Sequence, residues 1–394
     1  MNVETTVRVG QIHGRWIDDL DAIADLRSSW DDLAVAASQP YGAPAWLWSW
    51  WKHAAQAGWR LRVALAFEGD VLIGVAPFFV DRGLAGGARY RVMGAMTTSR
   101  VDLLALPGRE RDLATITARL LAAADPAPRT LRFDGIPATS PYPRMIREEW
   151  PGATPPTIYD EHSLPAPTVA LDAEDFEAWL AAKSSNFRQQ MRRQLRKIEN
   201  QGGAFRISTD LATLDDDLAD FSRLHHLRWT PKGGSGVLNP QTEAMLREAA
   251  AELIPRGRFR LWSLEVEGAV VSSQIFVGAG REVDYWLGGF DDEVAELKPS
   301  IMTIFKAIED GFAAGATRMG LGSGGQPYKY RFAEGEDMLV WSILSFGPGA
   351  AAVGRLELAP LQARALLAER LSPRFKKQLR RVWGTVRRTN PSSG

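Results

Sequence analysis

No cysteine occurs anywhere in the 394 residues. That absence excludes disulfides, thiolate catalysis and cysteine-ligated zinc, and it agrees with a reducing compartment. Neither sign of charge is in excess, because 47 lysines and arginines balance 47 aspartates and glutamates. No whole-molecule field therefore draws in nucleic acid, and electrostatic recognition has to come from local patches. Long apolar runs are also missing. The uncharged stretch 33–51 is broken by Ser38, Gln39, Pro40, Gly42 and Pro44, and the stretch 338–354 by Gly347, Pro348 and Gly349. Neither reads as a membrane span, and the opening MNVETTVRVGQIHGRW has no apolar signal core. No H-E-x-x-H spacing points to a metal, and no G-x-S-x-G elbow points to a covalent acyl-enzyme. The expectation is a soluble, cytoplasmic protein that needs no metal.

What is present has the composition of an ordinary globular protein, at a length that favours two domains over one. The two halves repeat an order of elements. In the first, Arg60–Val80 reads as a hairpin about Glu68-Gly69-Asp70, followed by a strand at Val101–Leu106, a helix at Asp112–Asp125 and a strand at Thr130–Gly135. In the second, Arg258–Gly278 is a hairpin about Glu267-Gly268. A strand at Val283–Phe290, a helix at Ile301–Gly315 and a strand at Thr317–Gly322 follow, and Val283-Asp284 answers to Val101-Asp102. The Pro-rich stretch Pro141–Pro167 reads as the linker between them. This divides the chain into 1–160, 161–350 and a tail, 351–394.

Two loops attract attention. GLGSGG (Gly320–Gly325) matches the G-x-G-x-x-G spacing of a dinucleotide loop, yet Pro327 follows at once and a β-rich run, Met338–Phe346, comes next. A dinucleotide loop must open a helix, so that reading fails; a Walker loop fails for want of Gly-Lys-Ser/Thr. The other loop, Asp291–Ser300, ends in Lys298-Pro299-Ser300 before the second-half helix. Ser300 suits an N-cap, or Pro299 a first helical turn. A helix N-terminus with free N–H groups and a neighbouring lysine would hold phosphate.

The segments LHHLRW (Leu224–Trp229), VDYWLGGFD (Val283–Asp291), the KPS before the helix and GSGGQPYKYRFA (Gly322–Ala333) together resemble the CelD/BcsL-like acetyltransferases of the GNAT superfamily. Ser184–Gly203 and PAWLWSWW (Pro44–Trp51) fit the same pattern, and a more distant similarity runs to Fem-type aminoacyl transferases. The resemblance covers most of the chain. It implies an α/β (α+β) protein of tandem GNAT-like domains, each a mixed, largely antiparallel sheet flanked by helices. It further implies acetyl-CoA or another acyl-CoA as co-substrate, held by the second domain. Leu287 and Gly288 would line the pantetheine arm, and Lys298, Pro299 and Ser300 the pyrophosphate. The usual superfamily loop, Gln/Arg-x-x-Gly-x-Gly/Ala, is replaced by ELKPSI, and Fem-type relatives use aminoacyl-tRNA instead. The acceptor it implies is a sugar or cell-envelope intermediate.

Acyl transfer needs a base for the acceptor, donors for the carbonyl oxygen and an acid for the leaving thiolate. Tyr328 stands where GNAT enzymes often place that acid, and Asp284 and Asp291 are candidate bases, though strand-end aspartates are commonly turn residues. His225, Arg228, Trp229 and Lys329 are candidate substrate contacts. His225 and His226 are adjacent on a helical pattern, so at most one faces a cleft easily. Phe187, Met191, Leu195 and Ile198 form an apolar stripe beside Arg188, Arg192 and Arg196, an amphipathic helix whose basic face is either solvated or binds an anion. A second basic run, Arg374–Arg388, would suit an anionic membrane face.

Overall fold

A computed structural model describes residues 6–83, 86–350, 352–357 and 359. The basic run Arg374–Arg388 lies outside the described residues. The rest divides into two compact units. The first takes the chain up to Val169, then Val277–Asp284 and the chain from Gly320 onward; the second takes Ala170–Phe276 and Tyr285–Met319.

In the first unit, strands follow one another across the sheet as Thr6–Val9, Ile12–Ile17, Arg60–Glu68, Val71–Arg82, Ala88–Val92, Pro128–Pro137, Gly335–Ser345 and Thr157–Ala170. Most neighbours are antiparallel, as in the hairpin of Arg60–Glu68 with Val71–Arg82; Ala88–Val92 and Pro128–Pro137 run parallel. The hairpin turns at Gly69, whose φ of +57° is a left-handed value that glycine adopts freely. The expected strand at Val101–Leu106 shrinks to Leu104–Ala105, while the helix it precedes spans Glu110–Ala122. The Pro-rich stretch read as a linker is instead regular structure. It holds the helix Tyr142–Glu148 and the strand Thr157–Ala170, which pairs along its length with Gly335–Ser345. Its prolines are accommodated as acceptors: the Pro167 and Pro165 carbonyls take the Leu321 and Gly324 N–H groups at 2.9 and 2.7 Å.

The second unit places Ala204–Ile207, Phe259–Val266, Ala269–Ala279, Glu282–Phe290 and Arg318–Gly320 side by side. The tip of the central hairpin, Val277–Asp284, belongs to the first unit. Helices Ser185–Asn200, Leu214–Trp229, Pro240–Leu253 and Pro299–Ala313 flank this sheet. Their starts are legible in chemistry: the Ser184 hydroxyl accepts from the Phe187 N–H at 3.2 Å, and Asn239 accepts from the Thr242 N–H at 2.9 Å, each satisfying an otherwise orphaned donor. In Leu214–Trp229 the buried positions are Leu214, Asp217, Leu218, Phe221, Leu224 and His225, a helical stripe. Each fully buried leucine or phenylalanine of that stripe stabilises the packing by about 1.5–3 kcal/mol. Of the expected stripe on Ser185–Asn200, Phe187, Met191 and Ile198 are buried while Arg192 and Arg196 are exposed. Both units thus show the fold class expected from the sequence. Among the described residues no helix is long and apolar enough to cross a membrane, and no group of three or more His, Asp or Glu is arranged to hold a metal.

Candidate functional site

The second unit builds its site on the strand Glu282–Phe290, the turn after it and the helix Pro299–Ala313. Asp291 closes the strand. Its carboxylate accepts from the Glu293 N–H at 2.9 Å and caps the short 3-10 turn Asp292–Leu297. Asp291 is therefore a turn residue, with one carboxylate oxygen committed to that cap. The turn is fixed from outside as well: Gln194, on the helix Ser185–Asn200, donates to the Glu296 carbonyl at 2.9 Å.

Lys298 then adopts a left-handed backbone, φ +51° and ψ +49°, and stands at the N-cap position. Of the two starts expected, Ser300 as the cap gives way to Pro299 in the first turn. Pro299 opens the first turn, and Ser300 lies within it, where its hydroxyl and carbonyl accept from the Gln274 side-chain nitrogen at 2.7 and 3.0 Å. No side chain caps this helix. Its first amides, those of Ser300 and Ile301, consequently keep their donors for an external acceptor, and the exposed Lys298 ammonium stands beside them. An uncapped N-terminus of a 15-residue helix with an adjacent cation suits a diphosphate through partial charge, aligned N–H groups and one full positive charge.

Gly288 and Gly289 let the strand meet its neighbours closely. A Cβ on Gly289 would run into the backbone of Leu224 and His225, and one on Gly288 would press on the Gln274 side chain. Leu287 between them and Trp286 is half-buried. His225 is 1% exposed, and both ring nitrogens are engaged: Nδ1 lies 3.3 Å from the Gly288 carbonyl and Nε2 2.9 Å from the Ser235 hydroxyl. A carbonyl only accepts, so Nδ1 carries the proton and the Ser235 hydroxyl donates to Nε2. Burial pulls the His225 pKa down to about 4. The substrate role expected for His225 is therefore corrected to a neutral strut joining helix, strand and the Ser235 turn. Trp229 stacks on that imidazole at 6.0 Å and stays partly exposed. Arg228 lies over the Phe290 ring at 4.4 Å. These two flank the end of the strand.

The other candidates belong to the first unit. Asp284 is 3% exposed and takes the Arg100 guanidinium at 2.7 Å; the same guanidinium reaches Glu282 at 2.6 Å and Asp337 at 3.4 Å. Burial opposes the Arg100 charge, and these carboxylates outweigh it, so its pKa is raised. A carboxylate held this way is a poor proton acceptor, which argues against Asp284 as the base. Gly320 has a reason here too: a Cβ would collide with the Asp284 carboxylate. Arg100, Asp284, Glu282 and Asp102 line a cavity of about 180 Å³, and burial lifts the Asp102 pKa to about 6. Tyr328 is half-buried and precedes the turn Lys329–Arg331. Lys329 is 3% exposed. Its ammonium donates to the carbonyls of Gly322, Ser323 and Gly324 at 2.9, 2.8 and 3.1 Å. All three donors are used, so its expected direct contact with substrate is corrected to a contact with the glycine turn itself.

Sequence reasoning missed Gln274, Gln194 and Arg100. The first two act through amides that carry no motif. Arg100 had one signal: it precedes Val101-Asp102, the pair that answers to Val283-Asp284.

Residues 185–330 match the acetyltransferase (GNAT) domain family. The match begins at the helix Ser185–Asn200, contains the strand, turn and uncapped helix, and ends at Tyr330. No curated protein matches the sequence. Among solved structures, the chain is similar to FemX, with a TM-score of 0.57 and 11% identity over 80% of this chain and 95% of that one. It is similar to the C-terminal (DUF2156) domain of a candidate lysylphosphatidylglycerol synthetase from Agrobacterium fabrum, with a TM-score of 0.55 and 11% identity over 86% and 96%. A conserved protein of unknown function from Bacteroides thetaiotaomicron gives 0.52 and 10% identity over 84% and 99%. At such identities the likeness concerns the fold alone.

Proposed function

We propose that this chain is an acyltransferase that moves an acyl group from acyl-CoA to an amine or hydroxyl, by direct attack in a ternary complex. The observation that supports it most is the uncapped N-terminus of Pro299–Ala313 with Lys298 beside it, inside the segment that matches the GNAT acetyltransferase domain. Lys298 and the Ser300 and Ile301 amides would hold the pyrophosphate, and Leu287 and Gly288 would flank the pantetheine arm. The thioester supplies the activated acyl group. An acceptor of the sugar or cell-envelope kind goes with the sequence resemblance.

Tyr328 remains the candidate acid for the leaving thiolate. Thiol release from acetyl-CoA, followed with amine and hydroxyl acceptors, tests the reading. Tyr328→Phe is expected to slow turnover by roughly 10²–10⁴-fold with KM for acetyl-CoA unchanged; a rate near the parent's removes Tyr328 from that role. A second reading, aminoacyl transfer from charged tRNA, draws on one feature. The chain has a 3-10 turn, Asp292–Leu297, and ELKPSI where GNAT enzymes carry their glycine-containing phosphate loop. A salt-sensitive gel shift with charged tRNA, without acyl-CoA binding, would favour it.

A further inference from the structure

In the first unit, the Leu103 peptide ties two buried polar side chains together. Its N–H donates to one Asp102 oxygen at 2.8 Å, and its carbonyl accepts from the Gln39 side-chain nitrogen at 3.2 Å. A carbonyl only accepts, so the Gln39 amide has one orientation: nitrogen toward Leu103, oxygen turned elsewhere. That oxygen is buried and has no donor among the described residues. Asp102 is 5% exposed. The groups that favour its charge are the Ser140 hydroxyl and the Leu103 N–H, both neutral, and no cation stands among them. A buried carboxylate without a cationic partner is costly. Both side chains line the cavity of about 180 Å³, with Arg100, Glu282 and Asp284. A cavity of roughly 150 Å³ is enough to hold benzene, so this one has room for a small molecule. Three of the four ionisable side chains on its wall are acidic. The fourth, Arg100, has its terminal nitrogens turned to Asp284 and Glu282 at 2.7 and 2.6 Å. The wall therefore offers acceptors in excess of donors.

We propose that this cavity is a ligand site of the first unit, and that it binds the ammonium group of a small primary amine. The ammonium donates to the Asp102 carboxylate, and the Gln39 oxygen is its second acceptor. An ammonium brings one full charge and three donors in a compact head, which is what a desolvated carboxylate and an unpaired amide oxygen lack. A quaternary amine has the charge without the donors, and an alcohol has a donor without the charge. The site lies wholly within the first unit and stands whether or not the second unit binds acyl-CoA.

The carboxylate form of Asp102 is the one that binds. Burial lifts its pKa from 3.8 to about 6, and the two neutral donors oppose that only in part. Tyr142, on the helix Tyr142–Glu148, faces Asp102; burial and then the Asp102 charge raise the tyrosine pKa, so its hydroxyl stays neutral. Arg100, Glu282 and Asp284 face the same space from the cavity wall. Below about pH 6 Asp102 takes up a proton and the ammonium loses its counter-charge. A carboxyl whose pKa is raised by folding binds more protons folded than unfolded there, so through this group the fold gains stability as the pH falls. Weaker amine binding at pH 5 therefore reports the site and not unfolding through Asp102.

The test uses the full chain labelled with ¹⁵N-glutamine, the Gln39 side-chain signal being assigned by its absence from Gln39→Met. n-Propylammonium chloride is expected to move that signal saturably at about pH 7.5, and 1-propanol and tetramethylammonium chloride are expected not to. At about pH 5 the amine stays protonated while roughly one Asp102 in ten stays ionised, so its affinity should fall by about tenfold. Asp102→Asn keeps an acceptor for the Leu103 N–H and loses the charge. It should bind n-propylammonium at least about tenfold more weakly than the parent at pH 7.5, with no difference between the two pH values. A still Gln39 signal, an equal response to 1-propanol or tetramethylammonium, or undiminished affinity in Asp102→Asn would overturn the proposal. Should Asp102→Asn fail to fold, equal affinity of the parent at pH 7.5 and pH 5 overturns it without the variant.

Discussion

At the scale of single residues, the chemistry of this chain is decided by which polar groups are already spent. His225, Lys329 and Asp291 are all residue types that catalyse; the first two have every polar side-chain atom engaged within their own unit, and one Asp291 oxygen caps a turn. The strongest such engagement is Arg100, whose guanidinium answers Asp284 and Glu282 within the first unit. Removing one partner from a buried ion pair leaves an uncompensated charge, and that loss outweighs what the pair contributes when intact. Arg100→Met is accordingly expected to destabilise the protein by about 3–5 kcal/mol, read by urea unfolding. A change below about 1 kcal/mol would mean that solvent already screens these carboxylates. Little of this was legible in the sequence beyond the place of Arg100 before Val101-Asp102 and the habit of strand-end aspartates to close turns. Asp284 stands 184 positions from Arg100, and an ionic pairing over that distance leaves no spacing to read. Lys329 was placed correctly near the glycines, but a buried lysine turned back on its own turn looks, in one dimension, like a lysine aimed at substrate.

At the scale of elements, far more was legible. The hairpins about Gly69 and Gly268 follow from apolar alternation punctuated by residues that accept positive φ; Glu267 and Gly268 have φ of +52° and +79°. The helix Pro299–Ala313 was marked by its proline, and its start shifted only from Ser300 to Lys298 as the cap. The strand Thr157–Ala170 was missed because its prolines argue locally for a linker, whereas its pairing with Gly335–Ser345 is set by a segment far along the chain. One element contact controls the proposed donor site. The helix Leu214–Trp229 rests directly on the strand at Gly289, where an added Cβ meets helix backbone and not a side chain that could swing aside. Gly289→Ala is expected to cost about 1–3 kcal/mol or more through overpacking, with the thermal midpoint falling by several degrees. A midpoint equal to the parent's would show that the helix stands off the strand in solution.

For the whole molecule, the sequence carried the class of fold through the order of its elements, and the structure groups them into two units whose segments alternate along the chain instead of dividing it into two successive halves. The lack of cysteine excludes a thiolate nucleophile, in keeping with the direct attack proposed above. The central claim is that the second unit holds acyl-CoA through Lys298 and the uncapped helix beyond it. It is tested most directly by calorimetric titration of acetyl-CoA into the parent and into Lys298→Asn, since asparagine tolerates the left-handed backbone at that position while lacking the charge. Saturable binding by the parent, at least about tenfold weaker in the variant as expected for losing a charge-assisted contact, is the predicted result. Absence of binding to acetyl-CoA, longer acyl-CoA and free CoA alike, or equal affinity in Lys298→Asn, would contradict it.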